Sequence, residues 1–174
     1  MRILMVLALG LLPSCESRSE AKPAPAKTTT AKTQTLNMLL PLRALPALPR
    51  PGNVRAISGY PGAQLRVGVV RSARGWRAVA ARGGARLAGL RVDWSKQMVV
   101  YAVFTGQTNS LSFNRWVGPR NGAAKLQIDW SGIEPYYRDA TPAVFCVVRR
   151  AGVRKITVET TGDQAGTALA FSVR

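Results

Sequence analysis

The stretch Met98-Val99-Val100-Tyr101-Ala102-Val103-Phe104 decides the class of fold. It is nearly continuous in apolar and β-branched residues, a pattern that predicts a strand buried on both faces. Asp93-Trp94-Ser95-Lys96 introduces it, with Asp93 read as a turn or cap residue on the way into the strand. Upstream, Val54 to Val70 reads as extended segments around a turn at Gly59-Tyr60-Pro61-Gly62, and Leu65, Val67 and Val69 alternate as in a half-buried strand. At Ser72 the period changes. Ser72 is a plausible helix N-cap, Trp76, Val79 and Ala80 follow helical spacing, and Gly83-Gly84 supplies the stop. Downstream, Leu111 to Val117 and Ala124 to Trp130 are expected to pair antiparallel around a turn within Gly118 to Gly122. Pro142 to Arg149, Lys155 to Thr160 and Thr167 to Val173 complete the strands, with a polar loop from Ser131 to Thr141 between them. These segments predict a mainly β fold of about seven or eight strands with one short helix, an antiparallel β-sandwich or open barrel.

Working back to the N-terminus, one positive charge, Arg2, precedes an apolar run from Ile3 to Leu12. At about ten residues the run is half of the about 20 that a spanning helix needs, and it has the size of a signal-peptide core. Leu12-Pro13-Ser14-Cys15 follows and resembles the bacterial lipobox, in which the cysteine is lipidated and becomes the new N-terminus. Residues 1–14 are therefore expected to be a signal peptide and Cys15 a lipidation site. That would tether the protein to an envelope membrane, on a periplasmic or extracellular face. Residues 15–52 are expected to form the lipidated cysteine and a disordered tether. Their Ala, Pro, Thr and Lys content cannot bury enough apolar surface to offset ordering entropy. Within that span Leu36 to Pro51 is richer in leucine, and Pro41, Pro46 and Pro49 forbid a long helix. It reads either as a semi-rigid spacer that lays its leucines on the domain or as a short partner-binding segment. Residues 53–174 make the single folded domain.

The chain carries a net charge of +17, with 25 basic and 8 acidic residues. Such a charge favours anionic surfaces: lipid headgroups, acidic glycans or an acidic protein. Arg71, Arg74, Arg77, Arg82 and Arg86 are expected to form a basic outer face on and around the helix, the candidate anionic surface. Nucleic acid is not an expected partner, because the chain carries an export signal and no nucleic-acid motif. There is no histidine and there are only two cysteines. With Cys15 lipidated, Cys146 has no partner within the chain, and its apolar run predicts a buried, inert thiol. A reactive or intermolecular cysteine is the alternative.

Ser58-Gly59, Val69-Val70-Arg71-Ser72, Trp76 and Val92-Asp93-Trp94-Ser95-Lys96-Gln97-Met98-Val99-Val100, with Gly106 after the strand, resemble the C-terminal domain of PrcB-type protease-complex subunits. Thr141-Pro142-Ala143-Val144-Phe145-Cys146-Val147-Val148-Arg149-Arg150 resembles that family's proline-led, valine-rich strand. The resemblance spans about residues 55 to 174 and rests on structural signatures. It implies a non-catalytic subunit that binds or stabilises an envelope protein, with an exported protease as one candidate. One departure stands out. Where the family shows threonine, two glycines and tyrosine, this chain has Thr108-Asn109-Ser110-Leu111-Ser112-Phe113 and lacks both glycines. A glycine-containing loop also occurs in chagasin-like peptidase inhibitors.

An enzyme is not expected: the commonest general base is absent, and no carboxylate pair or metal motif stands out. No catalytic residue, metal ligand or cofactor is assigned. Asp129 is expected to pair with an arginine. The candidate partner-binding surface is Thr105, Gly106, Thr108, Asn109 and Ser110 with Tyr136, Tyr137 and Arg138, because tyrosine and arginine are enriched at interface hot spots. Tyr136 and Tyr137 could equally cover the end of the sandwich. Binding of an anionic envelope polymer or headgroup by the arginine-rich face is a second reading, and peptidase inhibition through the same loop a third.

Overall fold

The computed structural model describes residues 33–57, 62–106, 110–131, 139–162 and 166–173. All of them belong to a compact unit that begins at Lys32. The segment from Met1 to Ala31, with the expected signal core and Cys15, lies outside the described residues, as do Thr108, Asn109, Tyr136, Tyr137 and Arg138. Two sheets make up the unit. The larger has five strands in the order β1 (Gln34–Pro41), β7 (Ala140–Arg149), β4 (Gln97–Thr105), β3 (Gln64–Val70) and β2 (Asn53–Ala56). The smaller has four, in the order β5 (Ser110–Arg120), β6 (Ala123–Ser131), β8 (Lys155–Gly162) and β9 (Ala168–Ser172).

The unbroken apolar runs in β4 and β7 follow from their central place, since both faces of these strands are buried. Met98, Val100, Ala102 and Phe104 of β4, with Val144, Cys146 and Val148 of β7, face the smaller sheet. There they meet Leu126, Ile128 and Trp130 of β6 and Ile156 and Val158 of β8. The intervening Val99, Tyr101, Val103, Phe145 and Val147 face the other way, towards helix α1 (Ala73–Gly83) and α2 (Ala85–Ala88). The fold is thus a β-sandwich with a helical layer on the outer face of its larger sheet. Helix α1 begins as expected: Ser72 Oγ accepts the Gly75 N–H at 3.2 Å, and Trp76, Val79 and Ala80 point inwards. Gly84, at φ +93°, closes it. The tight hairpin between β5 and β6 turns on Asn121 (φ 53°) and Gly122 (φ 85°), both left-handed as a two-residue turn of this kind requires. The expected turn thereby shrinks to two residues.

Three features depart from the expectation. Among the described residues there are nine strands, and α2 follows the first helix. The pair β6 and β8 runs parallel, so the smaller sheet is mixed. That arrangement arises because β7, which lies between them in sequence, crosses to the other sheet. The third departure is the largest: the ordered domain begins well before residue 53. Residues Gln34 to Pro41, read as tether, pair antiparallel with β7 along their whole length. Leu40 is fully buried, and Leu36, Met38, Leu45 and Leu48 pack against the helical cluster. The prolines are compatible with this: Pro41 ends an edge strand, and Pro46 sits in a 3-10 turn over Leu42–Ala47. Tyr101 Oη then donates to the Pro49 carbonyl at 2.8 Å, and the Gly52 N–H donates to Val67 O at 2.8 Å. The spacer reading of Leu36 to Pro51 foresaw leucines laid on the domain, though not a sheet strand.

The two sheets share no strand, yet both seams are bridged by asparagine. Asn37 Oδ1 accepts the Phe113 N–H at 2.9 Å between β1 and β5. At the other seam, Asn53 Nδ2 donates to Ala170 O at 3.0 Å between β2 and β9.

Candidate functional site

Antiparallel pairing brings the flanks of the two candidate partner loops together. Val103 of β4 pairs with Ala143 of β7, so Thr105 leaves the sheet near the residues where β7 begins. Ser110 pairs with Ser131, so β5 begins where β6 ends. The described residues that flank 107–109 and 132–138 therefore lie at one end of the sandwich. Thr105 is half-buried at the close of β4, with its hydroxyl 3.4 Å from Gln64 O, and Ser110 opens β5.

Gly106 has a structural task at this end. Its φ is +119°, and a Cβ there would lie 2.5 Å from Ala63 Cα and 2.8 Å from Gly62 O. The chain leaving β4 passes directly over the turn that opens β3, and only glycine fits.

At the opposite end the chain enters and the basic residues gather. Gln34 pairs with Val147, two residues before Arg149. Gln97 pairs with Arg149, and the Arg150 N–H donates to Lys96 O at 2.9 Å. Ser95, Lys96, Arg149, Arg150 and Ala151 line an open cleft of about 600 Å³. The hairpin of β5 and β6 reaches the same end, where Arg154 Nη2 donates to Asn121 O at 3.1 Å. Sequence reasoning missed this cleft. Its signal was the pair Arg149-Arg150 closing one strand and Lys96 opening another, but only the pairing of β4 with β7 makes them neighbours.

The arginines of the candidate anionic surface, Arg71, Arg74, Arg77, Arg82 and Arg86, are all exposed on or beside the helices. None has a carboxylate within ion-pair distance among the described residues. Both described ion pairs use lysine: Lys96 Nζ to Asp93 Oδ2 at 3.9 Å and Lys125 Nζ to Glu159 Oε1 at 2.7 Å. The five do not form one cluster. Val70 pairs with Val99, which sets Arg71 at the end where β4 begins. Gly83, at the far end of α1, lies against Leu40, whose partner is Thr141 near the start of β7.

The carboxylates serve local structure. Asp93 Oδ1 accepts from Ser95 N–H (3.1 Å) and from the Ser95 hydroxyl, and the Asp93 N–H donates to Gln97 Oε1 at 2.8 Å. The Ser95 hydroxyl is the main cause that holds its carboxyl below the usual range. Asp93 is thus the turn residue it was read to be. Glu159 is held low chiefly by the Lys125 ammonium. Asp129 has no arginine within ion-pair distance among the described residues; its Oδ1 accepts from the Thr161 hydroxyl at 3.2 Å on the outer face of the smaller sheet. Cys146 is buried between the sheets, and burial pushes its thiol up to about 12. Among the described residues no three Cys, Asp or Glu side chains come together to hold a metal, and no helix is long and apolar enough to cross a membrane.

No family model, no curated protein and no solved structure matches this chain.

Proposed function

We propose that this chain is a non-catalytic envelope lipoprotein, anchored through Cys15, whose β-sandwich holds a partner protein at the end bounded by Thr105 and Ser110. The observation that carries the reading is the opposition of the two ends. Strand pairing sets the flanks of both candidate loops together, and the chain joins the domain at the other end, beside Val147. A domain held at one end presents the other to its surroundings. Tethering raises the effective concentration of whatever is held there without any new contact. The residue-level resemblance to PrcB-type subunits points the same way and makes an exported protease a candidate partner. Affinity capture from envelope extract tests the proposal. The full chain is expected to recover one dominant protein, lost when Thr108 to Ser112 are all replaced by alanine. Unaltered recovery after that replacement would sink it.

A second reading has its own support, because the exposed arginines around α1 lack carboxylate partners among the described residues. An anionic envelope polymer bound there would be released steeply by salt. Capture indifferent to 0.5 M salt, roughly a Debye length of 4 Å, removes this reading.

A further inference from the structure

We propose that the end of the sandwich where the chain enters is a docking surface for anionic phospholipid headgroups, centred on the cleft of Lys96, Arg149 and Arg150. The proposal rests on the anchor reading of Cys15 for its source of ligand, and on the described residues for its chemistry. Arg149 and Arg150 are exposed at the end of β7, and Lys96 is exposed at the turn into β4. The backbone bond from Arg150 N–H to Lys96 O fixes the two strand ends against each other, so the charges sit on rigid elements. Arg154 and Lys155 are exposed next to them, where their amides donate to Gly122 O at 2.8 and 3.0 Å.

The one described carboxylate at this end, Asp93, is engaged by Ser95 and faces Lys96. Neither Arg149 nor Arg150 has a carboxylate within ion-pair distance among the described residues. Their guanidinium forks are free for phosphate oxygens, which match them in geometry as well as charge. The occupant follows from the path of the chain. Gln34 opens β1 opposite Val147, so the segment leading back to Cys15 departs from this end. The intervening residues, 16 to 33, are few, and whatever conformation they take they reach no further than about 60–65 Å. Headgroups are therefore the anionic groups that this end meets at the highest local concentration. Docking would turn the loop end away from the bilayer.

The test uses the mature full chain with a fluorophore on Ala151→Cys, since the buried Cys146 thiol does not take label. The protein is added to vesicles of phosphatidylcholine alone or with roughly a third phosphatidylglycerol, both carrying a headgroup quencher. The proposal predicts strong quenching only with the anionic lipid, reversed by 0.5 M salt, and little quenching of a control probe on Asp139→Cys at the other end. Changing Lys96, Arg149 and Arg150 to glutamate, with the thermal melt checked for folding, weakens the docking by at least about fivefold per charge. Equal quenching on neutral and anionic vesicles, or none on either, overturns the proposal. The mass of the N-terminal fragment reports separately whether Cys15 carries lipid. A lipidated chain without selective quenching defeats the docking surface and leaves the anchor. Selective quenching by an unlipidated chain, prepared as the Cys15→Ser variant so that residue 151 alone takes label, does the reverse.

Discussion

Tyr101 lies across Gly68, its cross-strand neighbour, and ties the Pro49 carbonyl to the sheet. A Cβ on Gly68 would come within 2.6 Å of the Tyr101 Oη, so the glycine is there to admit the ring. Gly68→Ala is expected to destabilise the domain by about 1–3 kcal/mol through overpacking, read as a shift in the urea midpoint. A neutral effect would mean that the ring has room to move. Burial, partly opposed by Arg66, pushes the Tyr101 phenol up to about 12 from an ordinary value of 10.0, and burial pushes Cys146 to about 12 from 9.0. Both groups are therefore favoured in their neutral form by the fold. Their contribution is complete below the unfolded values and is lost as the pH climbs from about 9 towards 12. Stability is expected to fall by several kcal/mol over that window, on the order of 1.4 kcal/mol for every tenfold difference in proton affinity between folded and unfolded chain. Cys146→Ala removes the earlier part of the decline, beginning near 9.0. Urea titrations at pH 8 and pH 11 measure it, and an unchanged midpoint would contradict the burial of both groups.

β1 shows how an element can hide in a proline-rich segment. Leu40 has no exposed surface, and it packs beside Leu87 and the place left open by Gly83. Leu40→Ala is expected to cost about 2–5 kcal/mol, whereas a residue in a free tether would cost nothing measurable. Thermal denaturation of that variant separates the two cases. β4, β7 and α1 were legible because their signals are local: an unbroken apolar run, a capping serine and a glycine stop. β1 was not, because Pro41, Pro46 and Pro49 and the low-complexity residues before it weigh more in composition than the alternation of Leu36, Met38 and Leu40. The parallel pairing of β6 with β8 was equally hidden, since it depends on β7 crossing to the other sheet and no local pattern records that. The same reason hid the cleft at Lys96, Arg149 and Arg150. At the loop end, Thr105 and Ser110 were placed together by sequence alone, but the close approach of Gly106 to Ala63 needed the register of β3 against β4.

At the scale of the molecule, the described residues arrange their charge with little internal pairing. The two described ion pairs lie at the surface and contribute little, while the net charge of +17 makes the charge balance one of self-repulsion. Salt is therefore expected to stabilise the domain: its melting temperature rises by a few degrees between about 0.02 and 0.5 M sodium chloride. A fall would show that ion pairing outweighs repulsion. In the proposed arrangement, the strand at Gln34 leaves only residues 16 to 33 between Cys15 and the domain. One end is assigned to the membrane and the other to a protein partner. Photocrosslinkers placed singly at Ser110 and at Ala151 in the full chain, and activated in intact cells, test that polarity most directly. One dominant protein adduct is expected from Ser110, and none of that protein from Ala151. The same adduct from both positions, or no protein adduct from Ser110, would contradict the assignment.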